Sequence, residues 1–126
     1  MYLSRGIADT KGKHFPMVGL LPSEIRMTNR LQHFGYKRLR VRRKSILALP
    51  KEEARGHEFH HSVAIGIPKE SNAAYEAISP SGGGMRLEGY AKGNLVSSYV
   101  HVHFLSQPLW AKRFVKAAWA WKRKRL

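Results

Sequence analysis

Cysteine is absent from the 126 residues. With it go a disulfide framework, a thiolate zinc site and any catalysis by a cysteine nucleophile drawn from the chain itself. Acidic residues are scarce too: eight Asp and Glu face 23 Lys and Arg, leaving a net charge of +15. A field of that sign attracts nucleic acid, anionic lipid or an acidic partner, but it decides neither fold nor specificity. The cations gather at Lys37, Arg38, Arg40, Arg42, Arg43 and Lys44 and again at Lys122, Arg123, Lys124 and Arg125. Each cluster also reads as a solvated face, because no recognised nucleic-acid module accompanies it. No apolar run is long enough to cross a bilayer, and the opening MYLSRGIADTKGK lacks the basic-then-apolar plan of a secretory signal. A cytoplasmic chain without a membrane span is the expectation. With 43% hydrophobic residues, a chain of this length supports one core, which argues against both disorder and a two-lobed enzyme.

No internal repeat is visible, and the pattern is mixed α and β with short elements. Met1 to Ile7 reads as the end of a helix, and Asp9 to His14 as a polar turn. Phe15 to Leu21 reads as a short strand closed by Pro22. From Leu39, apolar and basic residues alternate as in a half-solvated strand. Ser45 to Leu49 is a further apolar run, and another strand opens at Gly56. Ala73 to Ser79 and Met85 to Lys92 form a hairpin around the flexible turn Pro80 to Gly84. That glycine run is not a phosphate loop, since a strand pattern follows it where a helix should open.

The clearest helix spans 106–122, with Ser106 as N-cap and Pro108 near its first position. Trp110, Phe114, Ala117, Ala118 and Trp121 mark its apolar stripe, and Lys112, Arg113 and Lys116 its opposite side, with Trp119 beside them. A basic tail, 122–126, ends the chain.

Two histidine constellations invite chemistry. His57-Glu58-Phe59-His60-His61 fits the H-E-x-x-H zinc motif, whose two histidines share one face only on a helix. Gly56 before it and Ser-Val-Ala-Ile-Gly after it favour a strand, which sets His57, Phe59 and His61 against Glu58 and His60. No metal site is expected there. Ser98 to Phe104 reads as a second strand, with His101 and His103 facing one way. Such a pair reads as two of a metal's ligands, as ordinary hydrogen-bonded histidines, or as a general base at a strand end.

Several stretches together carry a family resemblance. They are Met17 to Pro22, Arg26-Met27-Thr28 with Leu31 and Gly35-Tyr36, Arg55 to His60 with Ser62, Glu88-Gly-Tyr90 with Asn94, and Ser98 to Phe104. In order and spacing the chain resembles the glutamine amidotransferase domain at the C-terminal end of cobyrinate a,c-diamide synthases, over nearly its whole length. The resemblance implies part of an open, class I amidotransferase, flavodoxin-like α/β sheet ending in an amphipathic helix, with 1–126 as the C-terminal portion of the domain. It implies that the chain starts just after the family's nucleophile turn, so that the cysteine, the first strands and the ATP-binding domain precede it. It assigns His101 as the general base and acid, with His103 second to it. Ser4 and Ser62 lack the context of a replacement nucleophile. The resemblance places ATP and Mg in the absent N-terminal domain and no cofactor in this chain. It implies glutamine-dependent amidation of corrinoid side-chain carboxylates, with an upstream ligase-plus-nucleophile chain as partner. The chain alone is expected to be inactive and, with sheet edges exposed, to self-associate. His61, where the family usually has tyrosine, and the basic tail depart from the pattern. The alternative reading is a non-enzymatic binding module for nucleic acid or another polyanion on the same scaffold.

Overall fold

The computed structural model describes residues 1–67 and 69–124. In chain order the first elements are β1 (Gly6–Ala8), β2 (His14–Pro16), β3 (Glu24–Met27), β4 (His33–Val41), β5 (Glu53–His60) and β6 (Ser62–Ile65). A single helical turn, α1 (Lys69–Asn72), leads to β7 (Tyr75–Ile78), β8 (Met85–Glu88), β9 (Tyr90–Lys92), β10 (Leu95–Ser97) and β11 (His101–Val102). A 3-10 turn (Phe104–Ser106) and α2 (Pro108–Arg123) complete the order. The expected α/β class with a terminal helix holds. The chain divides into two compact units, Met1–Gly35 with Glu58–Pro68, and Tyr36–His57 with Lys69–Leu126.

In the first unit the sheet order is β2-β1-β3-β6, with β1 and β3 parallel and the outer pairs antiparallel. The helix end expected over Met1 to Ile7 is instead a turn followed by β1. Ser4 donates its N–H to the Met1 carbonyl at 2.9 Å and its hydroxyl to the Gly6 carbonyl at 3.0 Å. Gly6 is paired on both sides, and a Cβ there would collide with the His14 imidazole. The strand expected over Phe15 to Leu21 shrinks to His14–Pro16, because Gly19 adopts a φ of +77° and turns the chain away. Leu21 and Ile25 are buried, while Val18 and Leu20 stay exposed. Strand β3, unforeseen, carries only one fully buried residue, too weak a period to read.

The second unit holds a five-stranded sheet, β11-β5-β4-β7-β8, and the ribbon β9-β10. The alternation from Leu39 extends back along β4: Leu39 and Val41 are buried, and Arg38 and Arg40 are exposed. Lys37 departs from the solvated cluster, since its stem is buried and its Nζ donates to Ser79 Oγ at 3.0 Å. The expected hairpin is present, with Ile78 opposite Met85 and Tyr75 opposite Glu88. Its second strand breaks at Gly89, whose φ of +70° starts β9, and β9 turns through Gly93 to pair with β10. Ser45 to Leu49 forms a turn in which Ser45 Oγ accepts from Leu47 N and Ala48 N. The core gathers Leu39, Val41, Tyr75, Val100 and Trp110 with several alanines, and Tyr75 stacks on Trp110 at 5.8 Å.

Helix α2 begins after Gln107, not at Ser106 as expected. Ser106 is committed elsewhere: its Oγ accepts from Arg55 N at 2.9 Å and donates to Arg55 O at 3.1 Å. The expected apolar stripe is also displaced. Only Trp110 is fully buried, whereas Phe114, Val115, Trp119 and Trp121 are all at least half exposed. Arg113, assigned to the outer side, stands on the inner one with Trp110 and Ala117, because Glu52 receives it there. Lys122 Nζ lies over the Trp119 ring at 5.4 Å. Of the basic tail, Lys122 and Arg123 are helical and Lys124 is the C-cap; 125–126 lie outside the described residues.

Candidate functional site

His101 sits on β11, which is two residues long where a strand over Ser98 to Phe104 was expected. Glu88 accounts for the shortening on one side. This buried carboxylate accepts the Ser98 hydroxyl at 2.6 Å and the Tyr99 N–H at 2.9 Å, and Ser98 Oγ in turn accepts from Val100 N. Charge-assisted bonds of this kind bend the approach to His101 into a fixed turn. Val100 is then buried in the core, which sets the plane of the strand that follows. On the other side Ser106 N donates to the His103 carbonyl and opens the 3-10 turn. The burial of Tyr75 together with the charge of Glu88 pushes the Tyr75 phenol up to about 12.

Strand β11 pairs antiparallel with β5, His101 opposite His57 and Val102 opposite Gly56. Gly56 makes the approach possible, since a Cβ there would lie 2.5 Å from the His101 carbonyl oxygen and 2.7 Å from Val100 Cγ1. Opposed residues share a face, so His101 and His57 emerge together. His101 Nδ1 lies 3.3 Å from the His57 carbonyl oxygen. A carbonyl only accepts, so in the neutral imidazole this contact selects the tautomer with the proton on Nδ1 and the lone pair on Nε2. His101 is exposed, and this tautomer equips it to take a proton from an incoming group. The Tyr36 ring meets the His57 ring edge-on at 5.5 Å.

His103 is exposed and donates its backbone N–H to the Arg55 carbonyl at 3.0 Å, extending the ladder by one step. The H-E-x-x-H match lies on a strand through His60, as its flanking residues indicated. Glu58 is fully buried and its Oε1 lies 2.9 Å from His60 Nε2, while the Phe59 and His61 rings meet at 5.6 Å. Among the described residues no three His, Cys, Asp or Glu side chains converge as a metal site. The Pro80 to Gly84 turn joins antiparallel strands and leads into no helix.

Residues 1–109 match the family of CobB/CobQ-like glutamine amidotransferase domains. The chain belongs to that family. Similar relatives are named cobyrinate a,c-diamide synthase. That of Priestia megaterium is 34% identical over 99% of this chain and 26% of its own length. That of Archaeoglobus fulgidus is 36% identical over 94% of this chain and 25% of its own length. That of Salmonella typhimurium is 34% identical over 94% and 26%. The chain thus spans about a quarter of the length of the curated relatives it matches. Within this amidotransferase domain, Glu88 is the site-shaping residue that reading the residues alone did not single out. Its only signal was the Glu88-Gly-Tyr90 stretch, whose partner Ser98 lies ten residues on.

Proposed function

We propose that this chain is the histidine-bearing part of a glutamine amidotransferase of the cobyrinate a,c-diamide synthase type, with His101 as general base and acid. The His101 Nδ1 contact with the His57 carbonyl carries the reading, because it leaves Nε2 free to accept a proton. A thiol supplied by another polypeptide segment gives its proton to Nε2, and the thiolate adds to the glutamine carboxamide carbon. The proton then passes to the departing ammonia, and water activated by the same nitrogen hydrolyses the glutamyl thioester to glutamate. The chain holds no cysteine and catalyses neither half alone. Its partner is a ligase-plus-nucleophile polypeptide in the cytoplasm, where ATP and Mg act in the ligase part and the ammonia amidates corrinoid carboxylates in cobalamin biosynthesis.

The test mixes this chain with the first three-quarters or so of the Priestia megaterium enzyme and follows glutamate release from glutamine. Release is expected only from the mixture and is abolished by His101→Ala. Release at an undiminished rate with that variant, or none from the wild-type mixture, overturns the assignment.

A second reading, a basic binding module for nucleic acid or another polyanion, draws on the helix α2 surface. Lys112, Lys116 and Arg123 are exposed there around Trp119, and no acidic residue follows Glu88 in the sequence.

A further inference from the structure

One side of α2 is committed to the core. Trp110 is buried against Tyr75, and Arg113 is held by Glu52. These contacts fix how the helix is rolled about its axis, and therefore what its other side presents to solvent. Nine residues make about two and a half turns, which sets Trp119 on the side opposite Trp110. Val115 lies one turn before Trp119, and both are more than half exposed. Lys112, Lys116 and Arg123 run along one flank of this apolar pair and Lys122 along the other, all of them exposed. No carboxylate follows Glu88 in the sequence, and among the described residues Arg113 is the α2 cation that meets one.

Cations alone are ordinary on so basic a chain, but here they ring an apolar pair that the fold leaves uncovered. A polyphosphate would satisfy the charges and leave valine and indole in water, and an apolar protein groove would cover the ring and strand the charges. The boundary of an anionic bilayer supplies both: acyl chains for Val115 and Trp119, and headgroup phosphates for the cations around them. Indole favours that boundary, since its ring is apolar while its N–H stays hydrated. Lysine stems reach from the flanks of such a pair up to the headgroups. A second copy of the chain would set the same cations against one another.

We propose that the outer side of α2 docks on an anionic lipid bilayer, with Val115 and Trp119 entering the headgroup boundary and Lys112, Lys116, Lys122 and Arg123 on lipid phosphates. The helix lies along the membrane surface; no helix among the described residues is long and apolar enough to cross one. This goes beyond the amidotransferase reading and takes nothing from His101. The family match ends at residue 109, before this surface begins.

The experiment floats the 126-residue chain with vesicles of phosphatidylcholine alone or of equimolar phosphatidylcholine and phosphatidylglycerol, and reads tryptophan quenching by brominated acyl chains. Binding is expected only to the mixed vesicles, and it should fall steeply as salt rises. Changing Lys112, Lys116 and Arg123 together to glutamine is expected to weaken it roughly a hundredfold, and Trp119→Ala roughly tenfold. Changing Arg42, Lys44 and Lys92 to glutamine removes the same charge from exposed positions of the same unit. That variant should stay within about threefold of the wild type, because its charges lie away from the contact. Trp121 follows Trp110 by three turns and lies on the committed side, so quenching should persist in Trp121→Phe and disappear in Trp119→Phe. Equal binding to the two vesicles, an equal loss from the two triple variants, or quenching that survives in Trp119→Phe overturns the proposal. So does a DNA duplex that binds more tightly than the mixed vesicles while brominated lipid leaves the tryptophans unquenched, which would assign the surface to nucleic acid.

Discussion

Glu52 and Arg113 form a two-pronged ion pair, Nη1 to Oε2 at 2.6 Å and Nη2 to Oε1 at 2.7 Å. The same carboxylate accepts the Trp110 indole N–H at 3.0 Å and the Leu49 N–H at 3.0 Å. Four donors on one side chain tie α2 to the loop before β5, and they place the cationic Arg113 on the inner face of the helix.

The Glu52 carboxyl is accordingly held at about 2, below its ordinary 4.5, chiefly by the hydrogen bonds from Arg113. A depressed carboxyl contributes stability that is present above the unfolded value and lost as pH falls from about 4.5 towards 2. Glu52→Gln should cost about 1–2 kcal/mol at neutral pH after allowance for solvent screening, and should flatten the acid limb of the stability curve. Thermal unfolding of both proteins from pH 7 to pH 2.5 checks this; parallel acid limbs would contradict it.

Gly56→Ala drives a methyl group into the His101 carbonyl and Val100. The expected outcome is a loss of about 1–3 kcal/mol together with separation of β11 from β5. Amide hydrogen exchange at His101 and His103 should rise sharply, while exchange in the β7–β8 hairpin stays as in the wild type. Protection unchanged at His103, whose N–H bonds Arg55, would show that the ladder does not need the missing side chain.

Tyr75 should ionise late, because burial and then Glu88 push its phenol up to about 12. A raised folded value favours the neutral phenol, so its stability contribution is whole below about 10 and fades as pH climbs towards 12. Ultraviolet difference titration should show one delayed tyrosine that is missing in Tyr75→Phe. Titration curves of the wild type and Tyr75→Phe that differ by no late component would refute the buried-phenol account.

The exposed Val115, Trp119 and Trp121 on α2 and the sheet edges at β8 and β11 invite association, which the +15 charge opposes. Screening to about 8 Å at physiological ionic strength weakens that opposition. Sedimentation should find a monomer at low salt and larger species as salt rises, with Trp119→Glu shifting the balance back. A monomer at every salt concentration contradicts self-association. Retention on heparin that falls steeply with salt and is lost when Lys112, Lys116 and Arg123 become glutamine would instead favour the polyanion reading.

Some of this was legible from local pattern. Alternation at Leu39, Arg40 and Val41, the glycine-rich turn after Ser79, and the β-branched surroundings of the H-E-x-x-H match each carry their structure within a few residues. The helix was legible as a helix, yet its orientation was not. The residues of α2 are apolar on more than one side, and only Glu52, 61 residues away, draws Arg113 inward. Ser106 looked like an N-cap for a similar reason: its hydroxyl suits that role, but the Arg55 backbone 51 residues away claims it.

By itself the sequence determined the class of the fold, the absence of a thiol, the strand character around both histidine pairs and the family resemblance that singled out His101. Tertiary structure alone decided that His101 faces His57 and that Glu88 bends the approach to it. The physical reason is range. Period and turn chemistry act between neighbours a few residues apart, whereas antiparallel register and buried carboxylates join residues 44 and 10 positions apart, and those partners are chosen only when the sheet closes.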